Sequence, residues 1–117
     1  MYLLSGILEE CDRLKIRDIK IFNAEGVSTL ADYFIIATSD STVQMEAIRS
    51  RLIEYLRDYK IRLKNPIEDW RGGWCLMDFG NIIINVMMDE MRSFYNLESL
   101  FEGAGYKKME RIPVVNP

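Results

Sequence analysis

The sequence predicts a mixed α+β domain in which about five strands form one mixed sheet flanked by helices. Three observations carry this reading. Strand-like runs occur at 19–22, 33–37 and 74–87, an amphipathic helix with its own capping signal separates them, and helical periodicity recurs at both ends of the chain. The 117 residues suit one domain, which we expect over 1–102, followed by a loosely held tail over 103–117 where Gly, Lys and Pro gather.

The opening segment places Leu4, Ile7, Leu8, Cys11 and Leu14 at helical spacing, with Glu9, Glu10, Asp12 and Arg13 on the other side. An amphipathic helix lying on a sheet or on another helix follows from that pattern. Ile19 to Phe22 alternates and runs into the turn signal Ala24-Glu25-Gly26. Tyr33-Phe34-Ile35-Ile36-Ala37 is continuously apolar, as the middle strand of a sheet covered on both faces would be.

Ser41 and Gln44 form a capping box, the hydroxyl accepting the Gln44 N–H while the carboxamide reaches back. A helix follows over 42–59, with Met45, Ile48, Leu52, Leu56 and Tyr59 inward. Lys60 to Lys64 alternates with basic residues outward, and Asn65-Pro66 limits it to a short edge strand or an extended loop. Trp74 to Phe79, Gly80-Asn81 and Ile82 to Met87 form a hairpin on a two-residue type II′ turn. That register pairs Phe79 with Ile82, Met77 with Ile84 and Cys75 with Val86 on a core face, leaving Asp78 with Ile83, Leu76 with Asn85 and Trp74 with Met87 on the other. Short helical turns fill 89–101, with Met91, Phe94, Tyr95, Leu97, Leu100 and Phe101 apolar.

Composition removes several functions. The chain has no histidine, which excludes triads with a His base and His-ligated metal sites. Cys11 and Cys75 make no C-x-x-C motif and read as buried, reduced thiols. The N-terminal segment lacks the pattern of a signal peptide and no stretch is apolar enough to span a bilayer, so a cytoplasmic protein is expected. A net charge of −3 disfavours binding led by nucleic-acid phosphates and suits a basic protein partner.

No motif completes an active site. The turn Ala37-Thr38-Ser39-Asp40-Ser41 has no glycine to let backbone N–H groups reach a phosphate, and an acid stands where phosphate would lie. Glu68-Asp69 and Asp89-Glu90 are neighbours in loops rather than alternate strand positions, and read as solvated acids. Asp78 has no base or metal ligand beside it. We therefore expect no catalytic residue, cofactor or metal. The Trp74, Leu76 and Asp78 face has two readings: a helix of the same chain covers it, or it is an aromatic docking patch with a polar handle. Burying Asp78 and Asn85 without partners would be costly, which tilts toward docking.

Ala31 to Thr38, Gln44, Trp74 to Gly80 and Arg92 to Phe101 together resemble the Iojap family, the ribosomal silencing factors. The likeness runs from Asp18 to Phe101 in unbroken order. It implies a fold similar to nucleotidyltransferases without their Gly-Ser and D-x-D signatures, and a factor that is not an enzyme. Such a factor binds the large ribosomal subunit through a basic protein on its interface side, with little nucleic-acid contact, blocks joining of the small subunit and represses translation. The resemblance places the docking residues at Trp74, Asp78, Arg92, Tyr95 and Glu98, to which the hairpin face adds Leu76. Asn85 stands where members usually carry His, Ser39 where glycine is common, and Phe101 where a closing Trp is usual. A nucleotidyltransferase-like enzyme and a general dimeric interaction module are the competing classes, and a homodimer stays open.

Overall fold

The computed structural model describes residues 2–67 and 69–109, so Glu68 of the acid pair and the end of the expected tail lie outside the described residues. Along the chain run α1 (Tyr2–Arg13), β1 (Arg17–Asn23), β2 (Tyr33–Thr38), α2 (Thr42–Arg57), β3 (Trp74–Asp78), β4 (Ile82–Met87), α3 (Asp89–Tyr95), α4 (Leu97–Gly103) and β5 (Lys107–Lys108). The strands form one sheet in the order β3-β4-β2-β1-β5, parallel only between β2 and β4. The mixed α+β architecture read from the sequence is the one found, with β2 in the middle.

The continuous apolar run of β2 has its cause in that position, because both faces are covered. On one face α1 contributes Leu4, Ile7 and Cys11, and α2 contributes Met45, Ile48, Leu52 and Leu56; they pack over Ile35, Ala37, Cys75, Met77, Ile84 and Val86. On the other, Phe22, Phe34, Ile36 and Met87 lie beneath Phe101 of α4, with Tyr106 alongside. Cys11 and Cys75 are both buried, and burial beside Glu10 pushes the Cys11 thiol up to about 12. No helix among the described residues is long and apolar enough to cross a membrane.

Three expectations need correction, and one pair of alternatives is resolved. Glu10 is not solvated: it is buried, its carboxylate accepting from Arg51 Nε at 2.6 Å and Arg13 Nη1 at 3.1 Å, and that pairing satisfies the charge which periodicity alone would place outside. Tyr59 is exposed, because α2 stops at Arg57 and Lys60 turns left-handed at φ 61°. Residues 60–64 take the loop alternative, and Asn65 closes the outer edge of β3. Its Oδ1 accepts the Asp78 N–H at 2.8 Å and its Nδ2 donates to the Leu76 carbonyl at 2.8 Å, while Lys64 N–H donates to the Asp78 carbonyl at 2.7 Å. Finally, the segment from Gly103 is not loose as far as Met109. Tyr106 stacks on Phe34 at 5.1 Å and Lys107–Lys108 pairs with β1, so aromatic burial holds what composition suggested was free.

The Ser41 hydroxyl accepts the Gln44 N–H at 3.1 Å, as the capping motif requires. The Gln44 carboxamide goes one residue further than a capping box: Oε1 accepts from Asp40 N–H at 2.7 Å, and Nε2 donates to the carbonyls of Leu14 at 2.7 Å and Lys15 at 3.0 Å. One side chain thus joins the end of α1 to the start of α2. Ser41→Ala is expected to cost about 1 kcal/mol, measurable by urea denaturation.

Candidate protein-docking face

The β3–β4 register pairs Trp74 with Met87, Leu76 with Asn85 and Asp78 with Ile83, as the two-residue turn predicts. Cys75, Met77 and Phe79 are buried on the core side, whereas Trp74, Leu76 and Asp78 are half-buried on the other. Helices of the same chain cover part of this second face. α4 covers its inner part over Met87 and Phe34, but it is seven residues long and leaves the edge strand uncovered.

Asn85 explains how a carboxamide survives there. It is 3 % exposed, donates from Nδ2 to the Ile35 carbonyl at 3.4 Å, and accepts the indole N–H of Trp74 on Oδ1 at 3.0 Å. The indole is therefore pinned from inside the sheet. Its ring meets Tyr95 of α3 at 4.8 Å between centroids, and Tyr95 meets Phe94 edge-on at 5.0 Å. Phe94 is 79 % exposed and Tyr95 47 %, a large aromatic surface for a chain of this size to leave in water. Trp74, Leu76 and Met91 line a cavity of about 360 Å³ beside Asp69 and Gly72. Arg71 hydrogen-bonds the Asp69 carboxyl and holds it down to about 2, so it is charged at neutral pH.

The Asp78 carboxylate is half engaged. Its Oδ1 accepts the Gly80 N–H at 2.8 Å, an Asx-turn that braces the hairpin, and Gly80 takes φ 91° as the first position of a type II′ turn demands. Only part of this group faces outward as a handle.

Arg92 and Glu98 are committed within the chain instead of lying free on the Trp74 face. Arg92 Nε and Nη2 donate to Glu98 Oε1 at 3.0 and 2.8 Å, and Nη1 donates to the Asp18 carbonyl at 2.6 Å and Thr38 Oγ1 at 2.8 Å. The side chain is 13 % exposed. It ties α3 to α4 and both to the ends of β1 and β2, across a bend made by Asn96 at φ 47°. Arg92 thus positions the helix that carries Tyr95. Arg92→Ala is expected to cost about 1–3 kcal/mol and to speed amide hydrogen exchange in α3 before the sheet opens.

Arg17, which nothing in the sequence singled out, makes a second clamp. It donates to Asp40 Oδ1 at 2.8 and 2.9 Å, Asp89 Oδ2 at 2.6 Å and Asp18 Oδ2 at 3.0 Å, and the Asp40 and Asp89 hydrogen bonds hold its guanidinium well above the ordinary range. It lies beyond the ends of the parallel strands β2 and β4, the crevice where open sheets commonly bind ligands. The carboxylates there are gathered on an arginine, and among the described residues no group of three His, Cys, Asp or Glu side chains converges to hold a metal.

Comparison with known proteins agrees with this architecture. The family described as "Ribosomal silencing factor during starvation" matches residues 3–116. The Bacillus subtilis protein named ribosomal silencing factor RsfS is 33% identical over 94 residues, covering 80% of each chain. A protein of the same name from Halalkalibacterium halodurans is 28% identical over 110 residues, 94% of each chain. The crystal structure of a Chromobacterium violaceum protein superposes with a TM-score of 0.79 over 97% of this chain and 92% of that one; at 22% identity it shows a shared fold. With its sheet, its hairpin and nearly its whole length matched in this way, the chain belongs to the ribosomal silencing factor family.

Proposed function

We propose that this protein represses translation by seating the Trp74 face on a basic protein at the interface side of the large ribosomal subunit, where its bulk blocks the small subunit from joining. The observation that carries the reading is a half-buried indole fixed from behind by the buried Asn85 and packed on Tyr95, with Tyr95 and Phe94 exposed beside it. Aromatic side chains held rigid before contact lose little entropy on binding, and such residues dominate interface energetics. Asp69 lines the adjoining cavity and Asp78 lies on the face itself; Asp69 is already paired with Arg71, so the carboxylate left to meet a cationic partner is that of Asp78. The factor acts by occupancy, without chemistry, in the compartment where cytoplasmic ribosomes work.

Sucrose-gradient sedimentation with purified subunits tests this. The protein should travel with large subunits and not with small ones, and its affinity should fall with salt far less steeply than phosphate-led binding does. Equal recovery with both subunits, or with naked ribosomal RNA, would sink the proposal.

A further inference from the structure

Arginine pairing on this chain is uneven. Arg13, Arg17, Arg51, Arg71 and Arg92 each close a salt bridge, whereas Arg49, Arg57 and Arg62 close none among the described residues. The three without an ion pair line one cavity of about 480 Å³, formed by α2 and the loop after it, with Ile53, Ile61, Leu63 and Pro66 as the rest of its lining. This cavity lies on the layer of α2, across the sheet from α3 and α4, and takes no part in the docking face.

Arg49 is already set in place. Its Nη2 donates to the Pro66 carbonyl at 2.9 Å, its guanidinium lies 4.6 Å from the centroid of the Trp70 ring, and its Nε is buried with no partner among the described residues. Arg57 and Arg62 are exposed at the mouth. Glu54 and Asp58 of the same stretch make no salt bridge to any of them. The protein as a whole carries a charge of −3, so three guanidinium groups with no ion pair among the described residues, gathered in one hollow, are a local reversal of sign. Guanidinium forks match phosphate oxygens in geometry and stay charged at any relevant pH. The aliphatic lining suits a flat apolar body, and the volume falls within the range of small-molecule sites.

From this arrangement we infer that the Arg49, Arg57 and Arg62 pocket binds a nucleotide, its phosphates on the arginines and its base against Ile53, Ile61 and Leu63. Binding there involves no bond making or breaking. It is separate from the ribosome reading and stands or falls without it.

Titration calorimetry of the intact protein with ADP and with GDP, and with inorganic phosphate and citrate as further arms, tests the inference. Saturable binding of at least one nucleotide is expected, weakened about tenfold or more in Arg57→Ala/Arg62→Ala, with amide shifts in NMR spectra confined to residues near 49–66. Both substituted side chains are exposed, and circular dichroism confirms the fold of the variant. The conservative Arg57→Lys/Arg62→Lys should bind better than the alanine pair, because charge returns without the fork. Four results would overturn the inference: no saturable heat from either nucleotide, binding unchanged in the alanine pair, phosphate or citrate binding as tightly as the nucleotides, or binding only of an RNA oligonucleotide, which would make the arginines an RNA surface.

Discussion

Trp74→Ala will weaken binding to the large subunit by about 2 kcal/mol or more, a loss of roughly 30-fold, and leave the protein folded. The fold survives because the half-buried indole sits on an edge strand outside the main core, and the β3 core side chains Cys75 and Met77 are untouched. Binding suffers because the contact loses a rigid aromatic anchor, and Tyr95 loses the ring it leans on at 4.8 Å. The Asn85 Oδ1 also loses its donor, a buried acceptor left unmet. Two companions separate anchor from charge. Asp78→Asn keeps an oxygen for the Gly80 N–H and removes only the charge, so it should slow association mildly; Asp78→Lys adds repulsion and breaks the turn brace as well. Glu54→Ala, exposed on the opposite layer, should leave binding unchanged. Light scattering of subunit joining reads all four variants. A folded Trp74→Ala that still blocks joining at wild-type concentration would show that this face is not where the energy lies.

Short-range pattern made much of this molecule legible. A two-residue Gly-Asn loop between alternating runs determines a register, and the register decides every pair along β3 and β4, including which face carries Trp74. The apolar run at 33–38 pointed to the sheet centre for the same local reason. Illegible were the contacts between groups far apart in the chain. Arg92 meets Asp18 and Thr38 across 74 and 54 positions, and Arg17 meets Asp89 across 72, so no spacing rule marks either arginine as a clamp. Glu10 looked solvated because its partner Arg51 is 41 residues away. Asp78 was read as a free handle because a side chain bonding to the backbone two residues on looks, in sequence, like any other strand acid. The candidate site was thus half visible: Trp74 and its face follow from strand period, whereas Tyr95 of α3 came only with the family resemblance and the roles of Arg92 and Glu98 follow only from the tertiary fold.

Phe101→Ala should be the most damaging single change to stability, costing about 3–5 kcal/mol and lowering the melting temperature by about 10 °C or more. Phe101 is the buried anchor of the second layer: α3 has no buried residue and α4 has only Phe101, with Met91 and Leu97 packing partly buried beside it. The ring contacts Phe34 at 4.8 Å, Phe22 at 5.4 Å and Tyr106 at 5.4 Å, so truncation leaves a void bordered by three aromatics that cannot close over it without moving β5. The polar tether of Arg92 to Asp18 and Thr38 remains, and it cannot replace the lost area, because one well-paired cation contributes less than a buried phenyl group. Because α3 carries Tyr95, loosening this layer should also blunt docking, whereas Trp74→Ala, which costs only the Asn85 hydrogen bond and the Tyr95 contact in stability, should act mainly on docking. Phe101→Leu should recover more than half of the stability by refilling most of the space. Thermal melts with hydrogen exchange check the order of events: α3 and α4 amides should lose protection first, while α1 and α2, packed on the other face, keep theirs. A loss below about 1 kcal/mol would mean that the aromatic layer collapses around the gap and that Arg92, not Phe101, holds α3 and α4 on the sheet.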